Sequence, residues 1–285
     1  MRLYTIETNG MVKVAVGMDD AMYTVESLGV DVRDMNELIC NWSKLGEVIR
    51  EKLANVDVTP VTDYMILAPI IRPLQDVVCL GVNYREHVEE TADVLDFSKK
   101  TATVYFSKRV NKCTAPGDVI PDYDFVDKLD YEVELGVILG RDAFNVEAES
   151  AGEYIFGYTI INDVSARDIQ LKHQQWYFGK SLDGYTPMGP CIVTADEIDN
   201  VHDLDITCYV NGEKRQSSNT GYMMTTAEEA IAELSQGMTL TAGAVIATGT
   251  PGGVGMGMKP SVYLKSGDVV RCEIENIGVL ENTVE

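Results

Sequence analysis

From residue 74 to its last residue the chain reads as strand after strand, with no regular alternation of strand and helix. The segments QDVVCLGVNY, TATVYFS, YEVELGVILG, YIFGYTIIND, CIVTAD, LDITCYVNG, AVIATGT and DVVRCEIENIGVLENTV are rich in β-branched and aromatic residues, the composition that fits a pleated, half-buried surface. Two helices interrupt them. The pattern predicts one over about 165–176, capped by Ser165, and one over about 226–235, opened by Thr226 with Glu229 in a capping box and closed by Gly237. A doubly wound sheet and a (β/α)₈ barrel both need strands and helices in turn, so both are excluded. The expected class is mostly β (α+β).

The first seventy residues differ. RLYTIE and MVKVAVG read as two strands joined by Asn9-Gly10, a hairpin signal, and Leu38, Trp42, Leu45, Ile49 and Leu53 recur at helical spacing, which predicts a helix over about 35–53. Pro60, Pro69 and Pro73 then punctuate the chain, so a small α+β domain over 1–70 and a catalytic domain over 71–285 are expected. The first of these holds no histidine and its acids show no ligand-like clustering, which gives it a structural role.

Charge narrows the partners. With 23 Lys+Arg against 45 Asp+Glu the net charge is −22, which argues against nucleic acid and against an anionic membrane surface, both of which need Lys and Arg. The six cysteines form no C-x-x-C pair and mostly sit in apolar runs such as VVCL and GPCIV, as buried thiols of a reducing compartment do. No secretory leader and no apolar run long enough for a bilayer is apparent. A cytoplasmic location is expected.

Glu132 and Glu134 in LDYEVELGVIL fall on one face of a strand, with Cα atoms roughly 6.6 Å apart, while Tyr131, Val133, Leu135 and Val137 fill the other. A bare E-x-E is better explained by an edge strand with an acidic solvent face. Here that face continues into Gly136 and Ile138, and two buried like charges need a cation between them. Asp163 ends the apolar strand of YIFGYTIINDVSARDIQ, either as a turn residue or as a third carboxylate. Glu132, Glu134 and Asp163 together form an all-oxygen set suited to Mg²⁺, with zinc less apt.

Other candidates are weaker alone. Arg167 and Gln170 share a helix face near its N-terminus, where an anion is favoured; an ordinary polar helix surface reads the same way. Of the three histidines, His202 and His173 read as surface or cap positions, and His87 stands three residues before Glu90. Such a pair is either a surface coincidence or a base oriented by a carboxylate. The stretch from Arg85 to Lys100 is acidic, with Val88, Val94, Leu95 and Phe97 as its sizeable apolar anchors, so a lid that orders with ligand is expected. Lys180 lies in a Gly/Pro-punctuated loop that is no phosphate loop, the glycine run 249–257 does not match a dinucleotide fingerprint, and no G-x-S-x-G is present.

Taken in order, VVCLGVNYREHVEE, LDYEVELGVILG, FGYTIINDVSARDIQ, WYFGKSLDGYTPMGP, ATGTPGGVGMG and SGDVVRCEIENIGVLENTV closely resemble the fumarylacetoacetate hydrolase family, over about 74–285. The resemblance implies a mixed β-roll and a homodimer. It also implies a divalent metal (Mg²⁺, or Mn²⁺ or Ca²⁺) on Glu132, Glu134 and Asp163. By the same matching His87 with Glu90 would activate water, Lys180 would sit beside the metal, and Arg167, Gln170 and Thr250 would bind substrate oxygens. Two departures stand out: Arg109 replaces the family's proline after the lysine of F-x-K, and no further metal-site carboxylate of the longer animal enzymes is identifiable. The implied function is hydrolysis of a C–C bond in a small 2,4-dioxo acid of the acylpyruvate or fumarylpyruvate type, through a metal-stabilised enolate. Diene-dioate isomerisation and oxaloacetate-type decarboxylation are the enzyme alternatives, and a catalytically silent metal-binding homo-oligomer is the alternative outside enzymes.

Overall fold

The computed structural model describes residues 1–93 and 102–285. A meander of β1 (Arg2–Thr8), β2 (Met11–Met18) and β3 (Ala21–Thr24) opens the chain and is followed by α1 (Met35–Cys40) and α2 (Trp42–Ala54). Then come β4 (Met65–Leu67), β5 (Val77–Gly81), α3 (Arg85–Thr91), β6 (Val104–Lys108), β7 (Val119–Ile120), β8 (Leu129–Asp130) and β9 (Val133–Leu139). The middle holds α4 (Ala148–Ala151), β10 (Ile155–Asn162), β11 (Ser165–Ala166), α5 (Arg167–Lys172), α6 (Tyr177–Lys180) and β12 (Met188–Thr194). The chain closes with β13 (Asp205–Val210), β14 (Glu213–Asn219), α7 (Ala227–Ser235), β15 (Val245–Ala247), β16 (Val269–Ile274) and β17 (Gly278–Val284).

The protein is mostly β with mixed sheets, as expected. One sheet runs β3-β2-β1-β12-β10-β9-β15-β5-β6 with β4 beside β1, and a second runs β14-β13-β16-β17-β7. The Asn9-Gly10 and Asn211-Gly212 turns have both residues at positive φ, +51° and +70°, +52° and +79°, the backbone a tight hairpin with right-handed strand twist requires. The capping box of α7 is complete: the Glu229 N–H donates to Thr226 Oγ1 and the Thr226 N–H to the Glu229 carboxylate. All six cysteines are free thiols, five of them buried. Among the described residues no helix is long and apolar enough to cross a membrane.

Two helices depart from the sequence expectation. The stretch 35–53 is broken at Asn41, whose N–H and Nδ2 turn back onto the Glu37 carbonyl while its own carbonyl starts α2. The stretch 165–176 is shorter still: Ser165 pairs with Asp130 in the two-stranded β8–β11 ribbon and does not cap, and α5 ends at Lys172 before Gln174 at φ +60°. Pairing of β8 with β11 takes the backbone of 165–166 away from a helix, and a residue in the left-handed region cannot continue one.

The first seventy residues are joined edge to edge with the rest, since Arg2 and Leu3 of β1 face Val193 and Ile192 of β12. One apolar cluster draws Leu3, Val16, Met35 and Ile49 together with Ile138, Phe156, Ile161 and Ile192, so sheet and core both continue across residue 70. Trp42 meets Phe156 edge to face at 5.0 Å.

Strand directions position the site. β10 and β15 run antiparallel to β9, and β5 runs parallel to β15. The N-terminal end of β9 therefore lies beside the C-terminal ends of β10, β15 and β5. Glu132 and Glu134, Asp163, Thr248 to Thr250, and the β5–α3 turn that carries His87 are gathered there.

Candidate active site

β9 and β10 are buried along their whole lengths, as strands in the middle of a covered sheet must be. Their register sets Ile161 opposite Glu134 and Asn162 opposite Val133. The Asp163 N–H then reaches the Glu132 carbonyl at 2.8 Å, and Asn162 Oδ1 accepts the Glu132 N–H at 3.0 Å. Carboxylate oxygens of Glu132, Glu134 and Asp163 lie within 4.8 Å of one another, all three residues buried. The solvent-face alternative for E-x-E is ruled out, for Glu132 is 4 % and Glu134 2 % exposed.

Three buried cations surround these acids. Lys180 Nζ donates to Glu132 Oε2 and Asp163 Oδ2, both at 2.6 Å. Lys108, fully buried, donates to Asp163 Oδ1 and to the Tyr185 carbonyl. Arg167 gives Nη1 to Gln170 Oε1 at 3.1 Å and Nε to Asp130 Oδ2 at 2.8 Å, and its Nη2 lies 2.6 Å from Glu132 Oε1 as an ion pair outside hydrogen-bonding geometry. Burial pushes the Glu132 carboxyl up, but Arg167 and Lys180 overcome it and hold Glu132 below the ordinary carboxylate range. Glu134 goes the other way: burial, then the Asp163 and Glu132 charges, raise it well above its usual value, against one N–H from Gly249 at 2.8 Å. Among the described residues, four buried carboxylates (Asp130, Glu132, Glu134, Asp163) thus face three buried cations, and Glu134 is the one left without a direct cationic partner. Buried all-oxygen donors with an uncompensated charge fit a hard divalent cation.

The turn from β5 into α3 passes through Val82 at φ +55°, a conformation that costs a β-branched residue about 1–3 kcal/mol and is kept where the surroundings over-determine it. Asn83 fixes that turn: Nδ2 donates to the carbonyls of Thr225 and Thr248, and Oδ1 accepts the Thr225 N–H, each at 2.8 Å. α3 then carries His87, 6 % exposed, into the site. His87 Nδ1 lies 2.8 Å from Glu90 Oε1, and Glu90 Oε2 accepts the Gly253 N–H at 2.7 Å. A carboxylate only accepts, so the ring proton sits on Nδ1 and Nε2 is the open base.

His87, Glu132, Glu134, Arg167, Gln170, Lys180 and Thr250 line one small cavity, closed by Leu80, Phe106 and Trp176. It offers about 20 Å³ to the centres of water molecules, room for one or two waters. Trp176 packs so close to Gly81 that a Cβ there would lie 2.4 Å from its ring. Of the stretch expected to form a lid, α3 lies within the described residues, and 94–101, with Val94, Leu95 and Phe97, lies outside them. His173 and His202 do not line the cavity, and His202 pairs with Glu228 at 3.4 Å. Thr250 Oγ1 is engaged on both sides, donating to the Val133 carbonyl at 2.9 Å and accepting from Gln216 Nε2 at 2.7 Å. A larger cleft of about 680 Å³ lies beside Trp42, Arg50 and Arg141. Its arginines are already paired with Asp196 and Glu153, so its size is not a sign of chemistry.

Lys108, Asp130 and Gln216 were not singled out by sequence reasoning. For Asp130 a signal existed, because Asp130, Glu132 and Glu134 follow one another at period two. Lys108 ends a strand and looks like any strand-end lysine, and Gln216 had no signal at all.

A mostly β fold with mixed sheets is the fold of the solved fumarylacetoacetate hydrolase relatives. The model of the fumarylacetoacetate hydrolase C-terminal family matches residues 76–285, and the chain belongs to that family. Among curated relatives, the oxaloacetate tautomerase YisK of Bacillus subtilis is 40% identical over 225 residues, 79% of this chain and 74% of that protein. Among solved structures, the fumarylacetoacetate hydrolase of Exiguobacterium antarcticum is 38% identical with a TM-score of 0.84, covering 100% of this chain and 99% of its own. The maleylpyruvate hydrolase of Sphingobium sp. SYK-6, solved with manganese(II) and pyruvate, is 26% identical with a TM-score of 0.79, covering 100% and 98%.

Proposed function

We propose that this protein is a divalent-metal-dependent enzyme that forms the enolate of a small 2-oxo acid, and that keto–enol tautomerisation of an oxaloacetate-type dioxo acid is the reaction it serves. The observation that carries this is one cavity lined by Glu132 and Glu134, by an Arg167–Gln170 pair and by His87 with its Nε2 open, with Asp163 close behind the two glutamates in one cluster of carboxylates. The relative named as an oxaloacetate tautomerase supports the choice of reaction.

Glu132, Glu134 and Asp163 would hold the cation, which supplies Lewis-acid stabilisation of the negative charge that develops on enolisation. Arg167 and Gln170 bind the substrate carboxylate. His87 takes a proton at Nε2 from the carbon beside the oxo group, Glu90 holds the resulting imidazolium at Nδ1, and return of that proton to the oxo oxygen completes the enol and restores the base. Lys180, held protonated by Asp163 and Glu132 against the effect of its burial, places a positive charge beside the reacting oxygens. α3 and Trp176 close the cavity off from bulk water.

Hydrolysis of an acylpyruvate is the second reading, supported by the same dyad and by the relative named as a maleylpyruvate hydrolase. His87 would then take its proton from water, which adds to the C4 carbonyl, and the C3–C4 bond breaks to a carboxylic acid and a pyruvate-type enolate. A decarboxylase would break the bond to CO₂ and reach the same enolate without water. Mg²⁺, Mn²⁺ and Ca²⁺ are all carried in the proposal, as is a cytoplasmic homodimer; the net charge of −22 supports excluding nucleic acid and anionic membranes as partners.

The test follows the ultraviolet absorbance of the oxaloacetate enol, with acylpyruvate cleavage and CO₂ release in parallel, under Mg²⁺, Mn²⁺ and EDTA. Tautomerisation that dies with EDTA and in Asp163→Ala is expected. Metal-independent activity, or none on any 2-oxo acid, would overturn the reading.

A further inference from the structure

Asp130 is fully buried in β8 and accepts hydrogen bonds from two directions. Toward the acids, its Oδ2 holds Arg167 Nε at 2.8 Å, and that guanidinium goes on to Glu132 and Gln170. Toward the glycine run, Oδ1 accepts the Gly255 N–H at 2.8 Å and Oδ2 the Met256 N–H at 3.0 Å, with the Tyr131 N–H at 3.0 Å completing the set. The same run donates the Gly253 N–H to Glu90. It also packs directly on that carboxyl, since a Cβ at Gly257 would lie 2.5 Å from Glu90 Cδ. Glu90 in turn fixes His87.

We propose that Asp130 is a positioning residue that ties the two arms of the site together, setting Arg167 beside the metal-ligating acids and, through Gly255 and Met256, setting the loop that orients Glu90 and His87. The proposal rests on the reading of Arg167 and His87 as substrate-facing groups. Its physical basis is that a buried carboxylate saturated by charged and backbone donors is a stiff node, worth more than its bonds taken singly. Asparagine cannot replace it: whichever way the amide turns, its NH₂ confronts a donor, either Arg167 with Met256 or Tyr131 with Gly255.

The experiment compares wild type, Asp130→Asn and Arg167→Gln. Hydrogen exchange is read by mass spectrometry on peptides covering 85–91 and 249–258, without and with Mn²⁺ plus oxalate, an enolpyruvate mimic, together with kcat and KM. Asp130→Asn should raise KM and lower kcat, and a purely structural Asp130 would lower the active fraction and leave KM unchanged. Should Asp130→Asn not fold, Arg167→Gln decides. Its side chain hydrogen-bonds to neither α3 nor the loop, yet both peptides should exchange faster by about ten-fold, the effect of losing one charged hydrogen bond from a local opening equilibrium. Unchanged exchange in Arg167→Gln would overturn the coupling. Because the exchange is also measured without metal or ligand, a wild type that binds neither Mn²⁺ nor oxalate would sink the enzymatic reading alone, leaving the exchange data to judge Asp130.

Discussion

Glu132 and Glu134 are chemically identical and two residues apart, yet their surroundings separate them: Glu132 touches Arg167 and Lys180, and Glu134 touches a backbone N–H. Burial without a cation raises a carboxyl, and burial beside two cations does not, so Glu134 is where an added divalent charge gains most. In the proposed mechanism His87 has a different task. Its Nδ1 is committed to Glu90 and it stands outside the carboxylate cluster. His87→Ala should therefore leave Mn²⁺ affinity near wild type in a calorimetric titration while lowering kcat on the order of 10²- to 10⁴-fold, the usual range for a general base. Equal turnover in the variant would remove His87 from the mechanism.

At the scale of elements, the site depends on how four strand ends meet and on the turn that leaves β5. Asn83 is the clip of that turn, bonding the 225 loop and the end of β15 from a fully buried position. Asn83→Ala should destabilise the protein by about 3 kcal/mol or more, because it strands several buried backbone groups at about 1–3 kcal/mol each. Urea unfolding measures the loss, and a change under about 1 kcal/mol would mean water takes over the partners of Asn83. The helix breaks at Asn41 and after Lys172 belong to this scale too. Hydrophobic spacing marked the right face in 35–53, as Leu38, Ile39, Ile49 and Leu53 are buried there. Spacing could not register the Asn41 side chain competing for the Glu37 carbonyl, an alternative short polar residues always offer the backbone.

For the molecule as a whole, the first seventy residues complete a sheet. β1 covers the edge of β12 through Arg2↔Val193 and Leu3↔Ile192, and Arg2 also donates to the carbonyls of Asn276 and Ile277 at 2.7 and 2.6 Å. Residues 71–285 expressed alone should therefore aggregate, since removal of β1 bares an apolar strand edge and the cluster around Ile138, Phe156 and Ile192. Size-exclusion chromatography checks this, and a monodisperse, folded fragment would establish 71–285 as an independent domain. Light scattering on the full chain tests the proposed homodimer, expected at about twice 31.4 kDa.

Sequence alone determined the strands and the all-oxygen chemistry of the carboxylate cluster. Alternation of apolar and polar residues sets strand identity within a few positions, and the all-oxygen character of Glu132, Glu134 and Asp163 is a property of residue type. Motif order picked out His87, Arg167, Gln170, Lys180 and Thr250, which line one cavity, and Glu90, which holds His87 from behind it. Only the tertiary structure decided which charges cancel. Lys108 meets Asp163 across 55 positions of chain and Asp130 meets Gly255 across 125. Asp130 also left the line of its two period-two neighbours, because the strand is interrupted between Asp130 and Val133. Such contacts are fixed by strand register and by the need of each buried charge for a partner, and register is a property of pairs of strands that neither strand's own residues display.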